Sequence, residues 1–262
     1  MNHNIIYYYE KYMKYKKIYN VKNIYYDRYV KYKDKYDRLI KNNNYNFFFD
    51  FDLTLVSEHS GGDALNLNFI KKMQLKSGEI RKLKDFLINI LEKNHNIFII
   101  TRGISYSVGK FLLKYVFECE SNITSHINNY CNVININNKF IYIFGSSVLE
   151  DINSIDNKKL VNILKVRVNS EIKEIITKSN SNNEKWGITK ILFILFINKY
   201  ISGENIDNNY FFDDTQENID LANQYIGNII KSYGYQEYNY KYIFIDIIIK
   251  IINNIIFYNS NV

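Results

Sequence analysis

Proline is absent from this chain of 262 residues, and glycine and cysteine are scarce, with 10 and 2 residues. The two cysteines, Cys119 and Cys131, offer neither a disulfide framework nor the spacing of a zinc site, which favours a reducing compartment. The N-terminus lacks a basic start followed by an apolar run, so we expect no signal peptide. The most apolar stretch, residues 243–257, is shorter than a membrane span and contains Asp246 and Lys250. These absences predict a cytoplasmic, intracellular protein without membrane contact.

The abundant residues are asparagine, isoleucine, lysine and tyrosine, which A/T-rich codons encode, as in an AT-rich parasite or a large DNA virus. The net charge of +7 has two interpretations: attraction to a phosphate-rich partner, or lysines that the codon bias adds to solvated surfaces. We favour the second, because no dense basic run and no aromatic–glycine signature of a nucleic-acid module occurs. The hydrophobic fraction of 47% is enough for a sizeable core.

Residues 1–44 are rich in tyrosine and lysine, and many of the tyrosines recur at helical spacing. The two stripes are Tyr8, Tyr12, Tyr15 and Tyr19, and then Tyr25, Tyr29, Tyr32 and Tyr36. They predict a helical N-terminal extension that packs on the main domain or on a partner. Such a basic, aromatic tract is also compatible with nucleic acid, although the stripes favour helix packing. Residues 45–262 then form the main domain, with room for a small insertion at about residues 118–139.

Beyond residue 44, short apolar runs alternate with helical patterns. The predicted strands cover residues 47–49, 96–100, 140–144 and 210–212; the predicted helices cover 78–93, 104–117, 158–178, 190–200 and 218–231, with a polar loop at 179–183. Strands that alternate with helices predict an α/β fold with a Rossmann-like, doubly wound parallel sheet.

Three of the predicted strands end in polar clusters. Asp50 and Asp52 follow the run Phe47–Phe49, residues 101–103 follow the second strand, and residues 213–214 follow the last. The carboxyl ends of parallel strands meet at one edge of the sheet, where ligands bind in open α/β folds. Carboxylates, a hydroxyl and a nearby lysine are the groups that phosphoryl transfer through a covalent intermediate requires. The pattern therefore predicts a cation or a phosphoryl group at this edge.

These residues resemble the four motifs of the haloacid dehalogenase (HAD) superfamily of phosphohydrolases, in the family's order. Residues 47–55 are similar to its first motif, residues 98–101 to its second, Lys190 to its third-motif lysine and residues 211–214 to its acidic fourth motif. The resemblance covers about residues 45–232 and implies the HAD fold. Little sequence separates the first two motifs, which implies a capless or minimally capped site.

The resemblance implies a role for each matching residue. Asp50 is the expected nucleophile and Asp52 the expected general acid and base, while Thr101 hydrogen-bonds the phosphoryl group and Lys190 neutralises its charge. Contacts with the substrate are expected from Thr54, Arg102 and Gly103.

Mg²⁺ is the implied cofactor, because it prefers oxygen ligands. Asp50, the backbone carbonyl of Asp52 and Asp214 are its expected ligands, and Asp213 is either a further ligand or an outer partner. Many family members have a second acid where this chain has Asn218, which adds no charge and lowers the expected metal affinity.

The sequence leaves two assignments open: which lysine binds the phosphoryl group, and whether Arg102 contacts the substrate. Lys185 is a rival to Lys190 as the phosphate-binding lysine, and Lys190 is preferred because it opens the predicted helix. Arg102 is placed either to contact a second anionic group of the substrate or to lie on the surface after a strand.

The leading functional hypothesis is a Mg²⁺-dependent phosphomonoester hydrolase with an aspartyl-phosphate intermediate on Asp50. Its phosphorylated substrate is a small molecule, a phosphoprotein or a nucleic-acid end. One alternative is a polynucleotide-end or nucleotide phosphatase that uses residues 1–44 for binding. Another is a non-catalytic interaction protein on a HAD scaffold.

Overall fold

The computed structural model describes residues 11, 14, 45–127, 130–146, 156–179, 181–199, 208–234 and 244–259. The predicted helical extension over residues 1–44 lies outside this range, apart from its two isolated positions. No helix in the described ranges is both long and apolar enough to cross a membrane.

The described residues contain seven strands. They are β1 (Asn46–Phe49), β2 (Asn96–Ile104), β3 (Ile123–His126), β4 (Cys131–Ile136), β5 (Lys139–Ser146), β6 (Asn209–Asp213) and β7 (Lys231–Gly234). They form one sheet in the order β3-β4-β5-β2-β1-β6-β7. The five strands from β5 to β7 are parallel, and β3 and β4 continue the sheet as antiparallel edge strands. The region with room for an insertion, residues 118–139, thus contributes this antiparallel edge.

Eight α-helices accompany these strands in the described part of the chain. They are α1 (Leu67–Leu75), α2 (Ser77–Glu92), α3 (Ser105–Phe111), α4 (Asn157–Leu164), α5 (Ser170–Lys178), α6 (Asn182–Ile197), α7 (Gln216–Ile226) and α8 (Phe244–Asn259), and a π-helical turn (Leu112–Val116) continues α3. The predicted α/β fold with a mostly parallel sheet is confirmed.

Both faces of the sheet are buried, which explains why the central strands are continuously apolar. Because side chains alternate along a strand, Phe47 and Phe49 of β1 enter one core with α1, α2, α3 and α8. Phe48 enters the opposite core with α4 to α7, where its ring stacks on Phe98 of β2 at 5.0 Å between centroids. The strand that carries the acidic cluster is therefore anchored on two sides.

Two predicted helices have different limits in the structure. The single helix predicted over residues 158–178 is wrong: α4 ends at Leu164, the next residue Lys165 has a φ of 51°, and Asn169 then caps α5. The helix predicted to open at residue 190 begins at Asn182 instead, because the Ser181 side chain accepts the backbone N–H of Glu184 and caps it. Lys190 therefore lies in the interior of α6.

A ladder of amide side chains, buried at Asn46 and Asn209 and half-buried at Asn96, joins the amino ends of the three central strands. Asn46, Asn96 and Asn209 are in register on β1, β2 and β6. Asn96 Nδ2 donates to Asn46 Oδ1 at 2.8 Å, and Asn46 Nδ2 donates to Asn209 Oδ1 at 2.8 Å. Asn209 donates in turn to Asn198 Oδ1 and to the carbonyl of Ile229. The ladder fixes the register of the strands whose other ends form the acidic cluster.

Replacing Asn46 by Asp tests this ladder. Asn46→Asp removes the donor to Asn209 and places a carboxylate oxygen against a carbonyl oxygen in a buried setting. We expect the free energy of unfolding, measured by urea denaturation, to fall by about 2–4 kcal/mol. The control is Asn135→Asp, at an exposed position of β4, which should stay within about 0.5 kcal/mol of the parent. Equal losses in the two variants would contradict a structural role for the ladder.

Candidate active site

The carboxyl ends of β1, β2 and β6 meet at a cleft of about 110 Å³. The pairing of β1 with β6 continues past the strand, because the backbone N–H of Asp50 donates to the carbonyl of Phe212 at 2.9 Å. The cleft is lined by Asp50, Asp52, Leu53, His59, Thr101, Arg102, Trp186, Lys190, Asp214, Thr215 and Asn218. Three of the predicted site residues, Thr54, Gly103 and Asp213, do not line the cleft but are buried beside it.

Lys190 connects two of the acidic strand ends. Its Nζ lies 2.8 Å from Asp50 Oδ1 and 2.6 Å from Asp213 Oδ2, and all three side chains are at least nine-tenths buried. Lys185, the rival lysine, lies in the first turn of α6 and does not line the cleft. Of the two lysines, Lys190 is the one in contact with the carboxylates.

Asp213 is held entirely by protein donors. Its Oδ2 accepts from Lys190, and its Oδ1 accepts from the backbone N–H of Thr215 at 2.9 Å and from Asn218 Nδ2 at 3.0 Å. Both oxygens are thus occupied, so Asp213 serves to position Lys190. Asn218 contributes through this hydrogen bond, which an acid at the same position could not donate.

Asp214 is oriented toward the cleft by Thr54. The Thr54 hydroxyl oxygen accepts the backbone N–H of Asp214 at 3.0 Å and lies 3.5 Å from Asp214 Oδ1. This contact joins the turn after β1 to the turn after β6. Thr54 therefore positions Asp214 from a buried site beside the cleft. It does not line the cleft itself, where the expected contact with the substrate would be made.

Asp52 is held by the loop that connects β1 to α1. The backbone N–H of Ser60 donates to Asp52 Oδ1 at 3.0 Å, and the buried Ser60 hydroxyl donates to Asp52 Oδ2 at 2.8 Å. His59 Nδ1 lies 3.2 Å from the same Oδ2, and most of its side chain is exposed at the rim. Farther back, the buried Glu79 of α2 accepts from the N–H and hydroxyl of Ser57 and fixes the start of this loop. The sequence patterns assigned no role at the site to Ser60 or Glu79.

Thr101, on β2, lines the same cleft as Asp50. Its hydroxyl oxygen accepts the backbone N–H of Gly103 at 2.9 Å, and no described residue accepts the Thr101 hydroxyl hydrogen. That hydrogen is free to donate into the cleft.

Three glycines pack tightly behind Thr101. A Cβ on Gly103 would lie 2.8 Å from the carbonyl oxygen of Gly62, and a Cβ on Gly145 would lie 2.5 Å from the carbonyl oxygen of Gly103 and 2.9 Å from Thr101 Cγ2. Gly103 thus has a packing role, and it brings the β1–α1 loop against β2.

Arg102 extends over the neighbouring helix α6. Its guanidinium carbon is 5.5 Å from the ring centre of Trp186, which is 6% exposed. Trp186 thus lines the cleft and also belongs to the buried interior.

Burial dominates the titration of the acidic groups. It raises the pKa of Asp50 well above its ordinary value, against the opposing effect of Lys190. Burial also raises the pKa of Asp52 and of Asp214, and the charge of Asp213 adds to the rise at Asp214. Burial alone would lower the pKa of Lys190, but Asp213 and Asp50 outweigh it and raise that pKa above its ordinary value. Lys190 is therefore charged at every working pH.

The donor set fits a divalent cation. Asp50, Asp213 and Asp214 can each bring one oxygen within 4.8 Å of the others. Three carboxylates and the Lys190 ammonium sum to a formal charge of −3 + 1 = −2, which a divalent ion would cancel. Oxygen ligands of this type suit Mg²⁺. Because Asp213 is fully buried and already accepts three hydrogen bonds, Asp50 and Asp214 are the carboxylates that fit the ion best.

No protein-family model, curated protein or solved structure matches the chain.

The close packing behind Thr101 can be tested at Gly145. Gly145→Ala forces a methyl group against Gly103 and Thr101, and we expect it to lower the free energy of unfolding by about 1–3 kcal/mol. Gly78→Ala is the matched control, because a Cβ at this helical position meets open space. It should leave stability unchanged or raise it by up to about 1 kcal/mol. A Gly145→Ala protein as stable as the control would show that the packing is loose.

The excess negative charge predicts that Asp214→Asn stabilises the metal-free protein. A carboxylate whose folded pKa is raised destabilises the folded state above that pKa, and the penalty fades as the pH falls. At pH 8 in chelator we expect a gain on the order of 1 kcal/mol for Asp214→Asn, shrinking toward pH 4.

Thermal unfolding with and without Mg²⁺ completes this test. The parent protein should gain stability from Mg²⁺ and the variant should gain much less, since one of its best carboxylate ligands is lost. Asp220→Asn, at an exposed position of α7, is the control and should respond to Mg²⁺ as the parent does. If Asp214→Asn is less stable than the parent in chelator, or gains as much stability from Mg²⁺ as the parent does, the interpretation of Asp214 as a metal ligand in an excess of negative charge is contradicted.

Proposed function

We propose that this protein is a Mg²⁺-dependent phosphomonoester hydrolase of the HAD type, which acts through an aspartyl-phosphate on Asp50. The supporting observation is the buried Lys190 ammonium between Asp50 and Asp213, with Asp52, Thr101 and Asp214 around the same cleft. In this arrangement Asp50 is the nucleophile, Lys190 is the fixed cation beside it, and Asp52 is a second carboxylate on the same cleft.

In the first step, an Asp50 carboxylate oxygen attacks the phosphorus in line, and the bond between phosphorus and the ester oxygen breaks. Protonated Asp52 donates its proton to the leaving oxygen, so the alcohol departs neutral. The raised pKa of Asp52 favours the protonated form that this step needs. Asp50 ends the step as the aspartyl-phosphate.

In the second step, Asp52 is the base. It takes a proton from a water molecule, whose oxygen attacks the phosphorus and breaks the bond to Asp50. Inorganic phosphate leaves, Asp50 is a carboxylate again, and Asp52 is protonated for the next cycle. Ser60 keeps the Asp52 carboxyl in one place during both proton transfers, through two hydrogen bonds.

The remaining groups bind the phosphoryl oxygens. Lys190 supplies a fixed positive charge, and the free hydrogen of the Thr101 hydroxyl supplies a donor. A bound Mg²⁺, held by Asp50, Asp214 and the backbone carbonyl of Asp52, would offset the repulsion between the anionic nucleophile and the anionic substrate.

Two alternatives differ from this proposal in substrate or in activity. A polynucleotide-end phosphatase that binds through residues 1–44 stays a prediction, because that segment lies outside the described ranges apart from residues 11 and 14. A non-catalytic scaffold would retain an excess of buried negative charge that lowers stability in the absence of a ligand. Such a cost is typical of functional sites, which supports catalysis.

Replacement of the two carboxylates separates their proposed roles. Asp50→Asn should lower kcat on an aryl phosphate by at least about 10³-fold, because the nucleophile is lost. Asp52→Asn should lower kcat by about 10²–10⁴-fold on an alkyl phosphate but less on an aryl phosphate, whose leaving group needs no proton.

Circular dichroism and thermal unfolding check that both variants are folded. We expect both to fold, because asparagine has nearly the same shape as aspartate and removes a buried charge. Undiminished turnover in Asp50→Asn would overturn the proposed function. Equal losses on both substrates for Asp52→Asn would remove the acid role from that residue.

A further inference from the structure

We propose that Arg102 binds a second anionic group of the substrate, so that the preferred substrates are short phosphomonoesters that carry a carboxylate or a second phosphate. This inference rests on the proposed function, of which it names the substrate class.

The first argument is the lack of a charge partner for Arg102. Among the described residues, no carboxylate pairs with its guanidinium, which contacts the face of Trp186 instead. Lys190, in the same cleft, is paired with two carboxylates. A half-buried guanidinium in a cleft, with its donors unused, is suited to bind an anion in a bidentate manner.

The second argument is the position of Arg102 relative to the phosphoryl site. It follows Thr101 directly on β2 and rests on Trp186, which is four residues before Lys190 on α6. Residues four apart on a helix lie on one face, about 6 Å from each other. The guanidinium therefore lies over the residue one helical turn before the phosphoryl-binding lysine, which makes a three-carbon spacer the natural first probe.

The third argument is the size and charge of the cleft. Its volume of about 110 Å³ has room for a phosphoryl group and little more, so the rest of the substrate lies at the rim with Arg102 and His59. An ester with a neutral far end would leave the guanidinium without a partner. A second anion would meet the only cation of the described cleft residues that has no carboxylate beside it.

The rival role for Arg102 is structural, since its contact with Trp186 joins β2 to α6. The two roles differ in their dependence on the substrate. A structural role predicts that removing the guanidinium weakens every substrate alike. An anion-binding role predicts a loss that depends on the second group.

The test compares three esters with the same three-carbon skeleton: 3-hydroxypropyl phosphate, 3-(phosphonooxy)propanoate and propane-1,3-diyl bisphosphate. In the parent protein, kcat/KM should be about 10–100-fold higher for either ester with a second anionic group than for the hydroxy ester, the range of one charge-assisted hydrogen-bond pair. Arg102→Gln should remove this preference, and Arg102→Lys should restore part of it. Arg81→Gln, at an exposed position of α2, is the control and should retain the parent pattern. The relative rates of the carboxylate and the bisphosphate show which anion fits better.

A binding measurement makes the inference independent of turnover. Propane-1,3-bisphosphonate and propylphosphonate, which have no ester bond to hydrolyse, are titrated by calorimetry with Mg²⁺ present into the parent protein and into Arg102→Gln. We expect the bisphosphonate to bind the parent about 10–100-fold more tightly than propylphosphonate, and Arg102→Gln to lose this difference. If no ester is hydrolysed but this preference holds, the hydrolase proposal fails and the anion site stands. If esters are hydrolysed without preference and both phosphonates bind equally, the anion site is overturned and the hydrolase proposal stands.

Discussion

The site depends on one buried ammonium group. Lys190 lies between Asp50 and Asp213, and without it β1 and β6 would end in adjacent buried carboxylates with no opposing charge from the protein. Because Lys190 extends from the interior of α6 rather than from its first turn, its backbone is fixed by a full helix packed on the sheet. The ion pairs hold Asp50 in one orientation and still leave the group with excess negative charge. The proposed binding of a cation and the proposed phosphoryl chemistry both depend on that imbalance.

Much of this arrangement can be read from single stretches of sequence. Asp50, Thr101 and Asp213 each follow a continuous apolar run, and such runs indicate buried strands whose ends lie at a common edge. The alternation of strands and helices predicts the α/β fold with a mostly parallel sheet, which the structure confirms. The proposed HAD relationship depends on the motifs, and the proposed activity depends on the motifs and on the geometry of the cleft.

The rest depends on contacts between distant parts of the chain. The amide ladder joins Asn46, Asn96 and Asn209, and its only local signal is an asparagine before each apolar run, which a composition rich in asparagine conceals. Ser60 acquires its role because the loop folds back onto Asp52, a geometry that no spacing encodes. The start of α6 was predictable, since Ser181 and Glu184 have the spacing of a capping box, but a run of polar residues favoured a loop. Tertiary packing and helix capping thus determine these contacts and this helix start, which the hydrophobic periodicity of the sequence does not predict.

In the proposed mechanism, one part of the loops above the sheet positions a catalytic residue and another part contacts the substrate. Ser60 holds Asp52, while Arg102 and His59 form the rim that the leaving group would meet. The central claim is that Asp50 carries the phosphoryl group. Acid quench during turnover of an aryl phosphate, followed by borohydride reduction and tandem mass spectrometry, tests it most directly. The account predicts homoserine at position 50, between Phe49 and Phe51, because borohydride reduces an acyl phosphate to an alcohol. A phosphoryl adduct on another residue such as His59, or sustained turnover with residue 50 unmodified, would contradict it.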